Sequence, residues 1–260
     1  MDSEQLRMHA PHSTPRGNFC RFDGRVLSRP FDEDEPSPLT KFVHDSFRGL
    51  VLNERFSCVA GRAAVRQNAY RFGLYAQLGS PSSSADLACD LARFASDPGL
   101  SNEPLRAFAA SFVDPVPRDE LHFEQLMWAT LQQLNDIDKR PWAMDCHSDP
   151  ADPHFAFSFG GTGFFLVGLH ARSSRLARRF AWSTLVFNPH EQFERLRRED
   201  RYSRFREVIR ARDVELQGTV NPMLQDFGER SEARQYSGRP VSEDWQCPFR
   251  ARGHHVKERE

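Results

Sequence analysis

The sequence predicts an α+β domain: a mixed or antiparallel sheet with a central β-hairpin, covered by helices. Three observations carry that expectation. Apolar runs of strand length recur at 69–78, 155–159, 164–169 and 183–187. Stretches with helical spacing of apolar residues separate and follow them. The glycine-rich Gly160-Gly161-Thr162-Gly163 joins two phenylalanine-rich runs, which is hairpin punctuation. A chain of 260 residues is long enough to bury one sizeable core.

Taken in order, residues 1–37 are polar and broken by Pro11, Pro15, Pro30 and Pro36, with an acidic run at Asp32–Glu35. They read as a flexible N-terminal arm. A helix starts near Pro38 with Phe42, Phe47 and Leu50 as its stripe, and Phe56–Arg62 is a short apolar run closed by Gly61. Tyr70, Phe72, Leu74 and Ala76 alternate as a strand does. Ser80–Ser84 is a turn or helix entry, and Leu87, Leu91 and Phe94 have helical spacing up to the Asp97-Pro98-Gly99 stop. Leu105–Phe112 is strand or short helix. Asp119–Leu134 is a helix with Leu121, Phe123, Leu126, Met127, Leu131 and Leu134 inward.

Asp145–Pro153 is a polar loop. Phe155–Phe159 and Phe164–Leu169 form the hairpin, and the second of these strands ends at His170. Ser173–Phe180 reads as a short basic helix. Ser183–Phe187 is a third strand, ending at Asn188-Pro189-His190. Charged helices follow at Glu191–Glu199 and Tyr202–Leu216, and the chain is irregular after Gly218. A single domain is expected over 38–250, with 251–260 a polar tail.

Composition narrows the function classes. A net charge of −1 argues against bulk binding to nucleic acid or to an anionic membrane. Five cysteines without a CxxC pair fit a reduced compartment rather than a disulfide framework or a zinc ribbon. No apolar run reaches signal-core or membrane-spanning length, so a cytoplasmic location is expected. Twenty-two phenylalanines supply wide, flat apolar walls for a core or a planar ligand. Lys41, Lys139 and Lys257 are the only lysines among 35 basic residues. That arginine excess suits carboxylate recognition through the guanidinium fork, or reflects codon usage.

The segment Asn188-Pro189-His190 ends a strand at proline and starts a charged helix. An imidazole held there is either a metal ligand or a polar group bonded to a nearby carbonyl. His154 and His170 bracket the hairpin and share a site with His190 if all three fall at one end of the sheet; no HExxH or HxH spacing links them. Asp226, Glu229 and Glu232 either hold a cationic substrate or form a solvated acidic turn balanced by Arg230, Arg234 and Arg239. Cys58 and Cys247 are thiolate candidates or small apolar fillers. The GGTG turn lacks the frame of a phosphate loop.

Several ordered segments resemble the YqcI/YcgG family: Phe155–His170, Ser173–Arg179, Phe187–Glu194, Asn221-Pro222-Met223, Asp226–Glu229, Ser231–Gly238 and Trp245–Phe249, with Phe56-Ser57-Cys58, Gly61 and Tyr70–Gly73 upstream. The resemblance spans roughly residues 40–250. The family is similar to haem-dependent N-hydroxylases of natural-product pathways, those acting on arginine and guanidino compounds in D-cycloserine and guanitoxin biosynthesis. The resemblance implies haem b, dioxygen, an external electron donor and a small guanidino or amino substrate such as arginine. On this chain the expected axial ligand is His190, then His170, then Cys58. Arg175, Arg178 and Arg179 are expected at the haem propionates, and Asp226 and Glu229 at the guanidinium. The alternatives are a haem-binding or haem-sensing protein without turnover, and a haem-free ligand-binding domain.

Overall fold

A computed structural model describes residues 17–225 and 228–252. Its centre is a seven-stranded mixed sheet in the order β2-β1-β3-β4-β7-β6-β5. The strands are β1 Cys20–Phe22, β2 Leu27–Ser28, β3 Tyr70–Gln77, β4 Ala107–Asp114, β5 Phe157–Phe159, β6 Thr162–Leu169 and β7 Ser183–Pro189. The β3–β4 pair is parallel, which requires a crossover, supplied by helix α3 (Pro81–Ala95). The remaining pairs are antiparallel.

The β5–β6 hairpin forms as the phenylalanine runs predict. Gly160 and Gly161 sit between the paired residues Phe159 and Thr162 with φ of 63° and 80°. A two-residue turn of this hand needs positive φ twice, which is why two glycines stand there. The hairpin lies at the edge of the sheet rather than its centre, because β7 returns between β6 and β4 and takes the inner position. The expected N-terminal arm is also shorter than 1–37. Phe19 and Cys20 are buried, and Cys20 pairs with Phe72, so residues from 17 onward belong to the sheet and its cover.

Helices cover both faces. The first face carries α3 and α4 (Glu120–Ile137) over Phe108, Phe112, Phe157, Phe164 and Phe187. Helix α3 begins where the Ser80 hydroxyl accepts the N–H of Ser83, and α4 where Asp119 accepts that of His122; both are side-chain caps with Pro81 or Glu120 following. Phe123, Met127, Leu131 and Leu134 point inward as expected, whereas Leu121 is exposed. The chain returns to this layer at its end. Phe249 packs 6.1 Å from the rings of both Trp128 and Trp142. The N–H groups of Arg250 and Arg252 donate to Gln132 and Asn135 of α4 at 3.0 and 2.9 Å. The indole of Trp245 donates to the buried Glu124 carboxylate. Thus the described part of the expected polar tail, Ala251 and Arg252, is fastened to α4.

The second face carries α1 (Pro38–Leu52), α2 (Val59–Arg66) and α6 (Tyr202–Gln217), with α5 (Glu191–Arg198) and the short α7 (Ala233–Tyr236) at one end. The inward stripe of α1 is Val43, His44, Phe47 and Val51, rotated from the expected one; Phe42 is 61% exposed. The basic helix expected at 173–180 is a single 3₁₀ turn, Leu176–Arg178. The Ser173 hydroxyl accepts the N–H of Arg175 there, a local bond that competes with helix formation. Helix α6 buries only Asp213 of its sixteen residues.

Candidate functional site

Between the second face and α2, α5 and α6 lies a cavity of about 220 Å³ with mostly apolar walls. Alternation along the strands creates those walls. Phe165, Val167 and Leu169 of β6, Val186 of β7 and Ala109 of β4 point to this side, while Phe164, Leu166 and Phe187 point to the closed side. The walls are mainly apolar in area, with Arg175, Arg178, Arg197, Arg206, Asp213 and Glu232 among the charged residues that line them. A groove of about 560 Å³ near Glu229, Arg230, Glu243 and Trp245 is larger but more polar and more open.

Cys58 lines the cavity at the N-cap of α2, and its Sγ accepts the N–H of Gly61 at 3.3 Å. Burial pushes its thiol up, while that N–H bond, the charge of Arg178 and the N–H of Ala60 pull it down. A cysteine at a helix start, facing a guanidinium, is placed to become a thiolate once a cation binds it. The other four cysteines do not line this cavity. Cys247, the second thiolate candidate, packs in the closed core, where burial pushes it up to about 12.

Two of the three predicted arginines belong to the cavity. Arg175 is committed to a buried ion pair with Asp213 at 2.7 Å and to the carbonyl of Thr219 at 2.9 Å. Asp213 also accepts the N–H of Asn221, so this pair fastens the 218–221 stretch to α6. Arg178 has no carboxylate partner among the described residues. Its guanidinium donates to the carbonyl of Tyr236 at 2.9 Å, and burial brings it down to about 10. Gly238, with φ of 83°, lets it approach: a Cβ there would stand 2.5 Å from the Arg178 Cδ. Arg179 is exposed, donates to the carbonyl of Ser173 and lies outside the cavity, because the 3₁₀ turn ends before it.

The histidines do not gather. Antiparallel pairing puts Phe164 opposite Pro189 and Leu169 opposite Thr184. His190 therefore sits at the start of β6 and His170 at its end, roughly 20 Å apart at the rise of a strand. His170 is fully buried on the closed side, its ring 4.2 Å from that of Phe123, with neither nitrogen hydrogen-bonded. Burial lowers it to about 4. His154 is in the exposed loop beside Asp152.

His190 is buried behind the cavity, not on its wall. Its Nε2 is 3.5 Å from Oε1 of Glu232, and it lies within 4.8 Å of ligand-type atoms of Asp145 and Cys146. The first two choices of axial ligand are thus displaced from the cavity by strand direction, and the third, Cys58, lines it. Glu229 lies at the open groove, and Asp226 falls outside the described residues. Glu232, the remaining acidic residue of that segment, does line the cavity.

A family model, described as the YqcI/YcgG family, matches residues 47–250. The chain is 25% identical over 224 residues to the uncharacterized protein YqcI of Bacillus subtilis (strain 168), covering 79% of this chain and 86% of that protein. No solved structure matches. Among the described residues, no helix is long and apolar enough to cross a membrane.

Proposed function

The chain belongs to the YqcI/YcgG family, and from that premise we propose that it is a haem-dependent monooxygenase that N-hydroxylates a guanidino or amino group of a small substrate such as arginine, with Cys58 rather than His190 as the iron ligand. The observation that carries this reading is a thiol at a helix N-terminus on the wall of a mostly apolar cavity.

The donor set suits haem b. Thiolate is a strong iron ligand that favours O–O cleavage, and the Gly61 N–H bond fixes the sulfur's direction. Arg178, without a carboxylate partner, is the natural counter-ion for a propionate; Arg175 is already held by Asp213 and shapes the wall instead. At about 220 Å³ the cavity is below the roughly 300–1,000 Å³ of common ligand sites. A porphyrin therefore needs one wall to yield, and α6, with a single buried residue, is the wall that can.

When bound, the haem supplies dioxygen activation, with one oxygen atom going to the substrate nitrogen and the other to water, using two electrons from an external donor. The chain's own residues do the rest. Cys58 would hold the iron, Phe165, Val167 and Val186 would exclude water, and Arg178 would pair with a propionate carboxylate.

Absorption spectroscopy tests the assignment. Wild-type protein supplied with haem should show a Soret band, with the ferrous–CO maximum of a thiolate-bound iron. Cys58→Ser should lose that signature, and His190→Ala should keep it. A thiolate signature that survives Cys58→Ser would reject the ligand assignment. Absence of any Soret band would reject the cofactor. Product analysis with arginine, reductant and air then separates turnover from binding alone.

A further inference from the structure

Resting on that reading and deepening it, we infer that Glu232 is the carboxylate that receives the cationic nitrogen group of the substrate inside the cavity. Three observations carry this. Glu232 lines the cavity and is 4% exposed. Its Oε1 is backed by His190 Nε2 at 3.5 Å. Its Oε2 is buried without a hydrogen-bond donor.

A buried carboxylate oxygen with no donor is costly, and proteins place one where something else completes it. The neighbours do so only weakly. The Tyr236 hydroxyl spends its proton on the carbonyl of Phe164 and accepts the N–H of Phe157. Arg197 lends charge from a distance while its guanidinium holds Glu194. Cys146, on the far side with His190, contributes no positive charge. Burial accordingly pushes the Glu232 carboxyl up, against the pull of His190, Arg197 and the Tyr236 hydroxyl.

A guanidinium answers this geometry, because its planar fork brings two N–H donors and a full charge to one carboxylate. The side-chain amide of Asn188, on the same wall, is held by the carbonyls of Phe165 and Val186, an arrangement that leaves its oxygen out of both bonds. A neutral urea has the same shape but brings no charge, so the site ranks arginine-like ligands above citrulline-like ones. His190, the strand-end histidine, thereby acquires a positioning role: it holds Glu232 from behind instead of binding iron.

Calorimetric titration of the full chain, with and without haem, tests this, using L-arginine, agmatine and neutral L-citrulline as probes. Wild type should bind both cations in preference to citrulline. Glu232→Gln, identical in shape, should keep the Soret band and the melting temperature. It should weaken arginine roughly 30-fold or more, the loss typical of truncating one side of a buried charge pair, and citrulline by less than about threefold. Glu232→Asp, which keeps the charge but withdraws it by one methylene, should fall between and stands in if the Gln variant does not fold. Equal arginine binding in wild type and Glu232→Gln would overturn the inference, as would equal losses for arginine and citrulline or no preference for cations in wild type. A missing Soret band with an intact, Glu232-dependent cation preference would instead reject the haem reading alone.

Discussion

The two faces of the sheet use the same strands to opposite ends. On the first, α3, α4 and the returning C-terminal segment press onto a continuous field of phenylalanine, and the interior is closed. On the second, α1 buries Val43, Phe47 and Val51, but α6 buries only Asp213 and otherwise lies half-exposed, with Tyr202, Phe205 and Ile209 over a cavity that remains between it and β6 and β7. Stability is concentrated where the aromatic side chains interlock. The open space is left on the other side, together with the unpartnered Glu232 Oε2.

Substitution sharpens that contrast most directly. Phe164→Ala in the closed core should cost about 3–5 kcal/mol, and Val186→Ala on the cavity wall less, about 1–2 kcal/mol, because its methyl groups already border empty space. Urea denaturation measures both; equal losses would mean that the second face is packed like the first.

Acid should act through the closed face. His170 is at about 4 in the folded chain against an ordinary 6.5, with burial the main cause, Arg178 assisting and Glu120 opposing. Above pH 6.5 both folded and unfolded chains carry it neutral. Below that the unfolded chain takes up the proton first, so stability falls between about pH 6.5 and pH 4, by roughly 3 kcal/mol at the lower limit. His170→Phe should remove that component in urea titrations at pH 7 and pH 4; an unchanged pH dependence would place the acid sensitivity elsewhere. Glu232 works in the opposite sense, since its raised carboxyl favours the folded state in acid and penalises it once ionised.

The smallest effect expected concerns motion. Haem loading should slow amide exchange in α6 and leave α4 unchanged, because only the former must move and re-seat around a ligand. Protection gained equally in both helices would show that the whole sheet, not one face, responds to binding.

How much of this was legible in the sequence follows from what each signal encodes. Period and punctuation placed α4, the hairpin with its glycine pair, and the handover from β7 to α5. They could not give the order of strands. The hairpin was read as central, and His170 and His190 were offered as one site should they fall at the same end of the sheet; antiparallel pairing sends successive strand ends to opposite ends. Cys58 ranked third, because a buried cysteine is more often a small apolar filler and the Asn188-Pro189-His190 break drew the choice to an imidazole. Glu232 was grouped with Asp226 and Glu229, and nothing in their spacing reveals that residue 232 turns inward at the first turn of α7 while Glu229 remains at the open groove. Burial of a polar side chain is a property of the assembled layers, and no local pattern records it.

The fastening of Phe249, Arg250 and Arg252 to α4 has a consequence for how the chain is made. Trp128 and Phe249 are 121 positions apart, so translation separates them by roughly 6–24 s at common elongation rates. For that interval the nascent α4 presents an uncovered aromatic flank, because the segment that covers Trp128 has yet to be made. Closure of the aromatic layer over α4 is therefore a late step in the making of the chain.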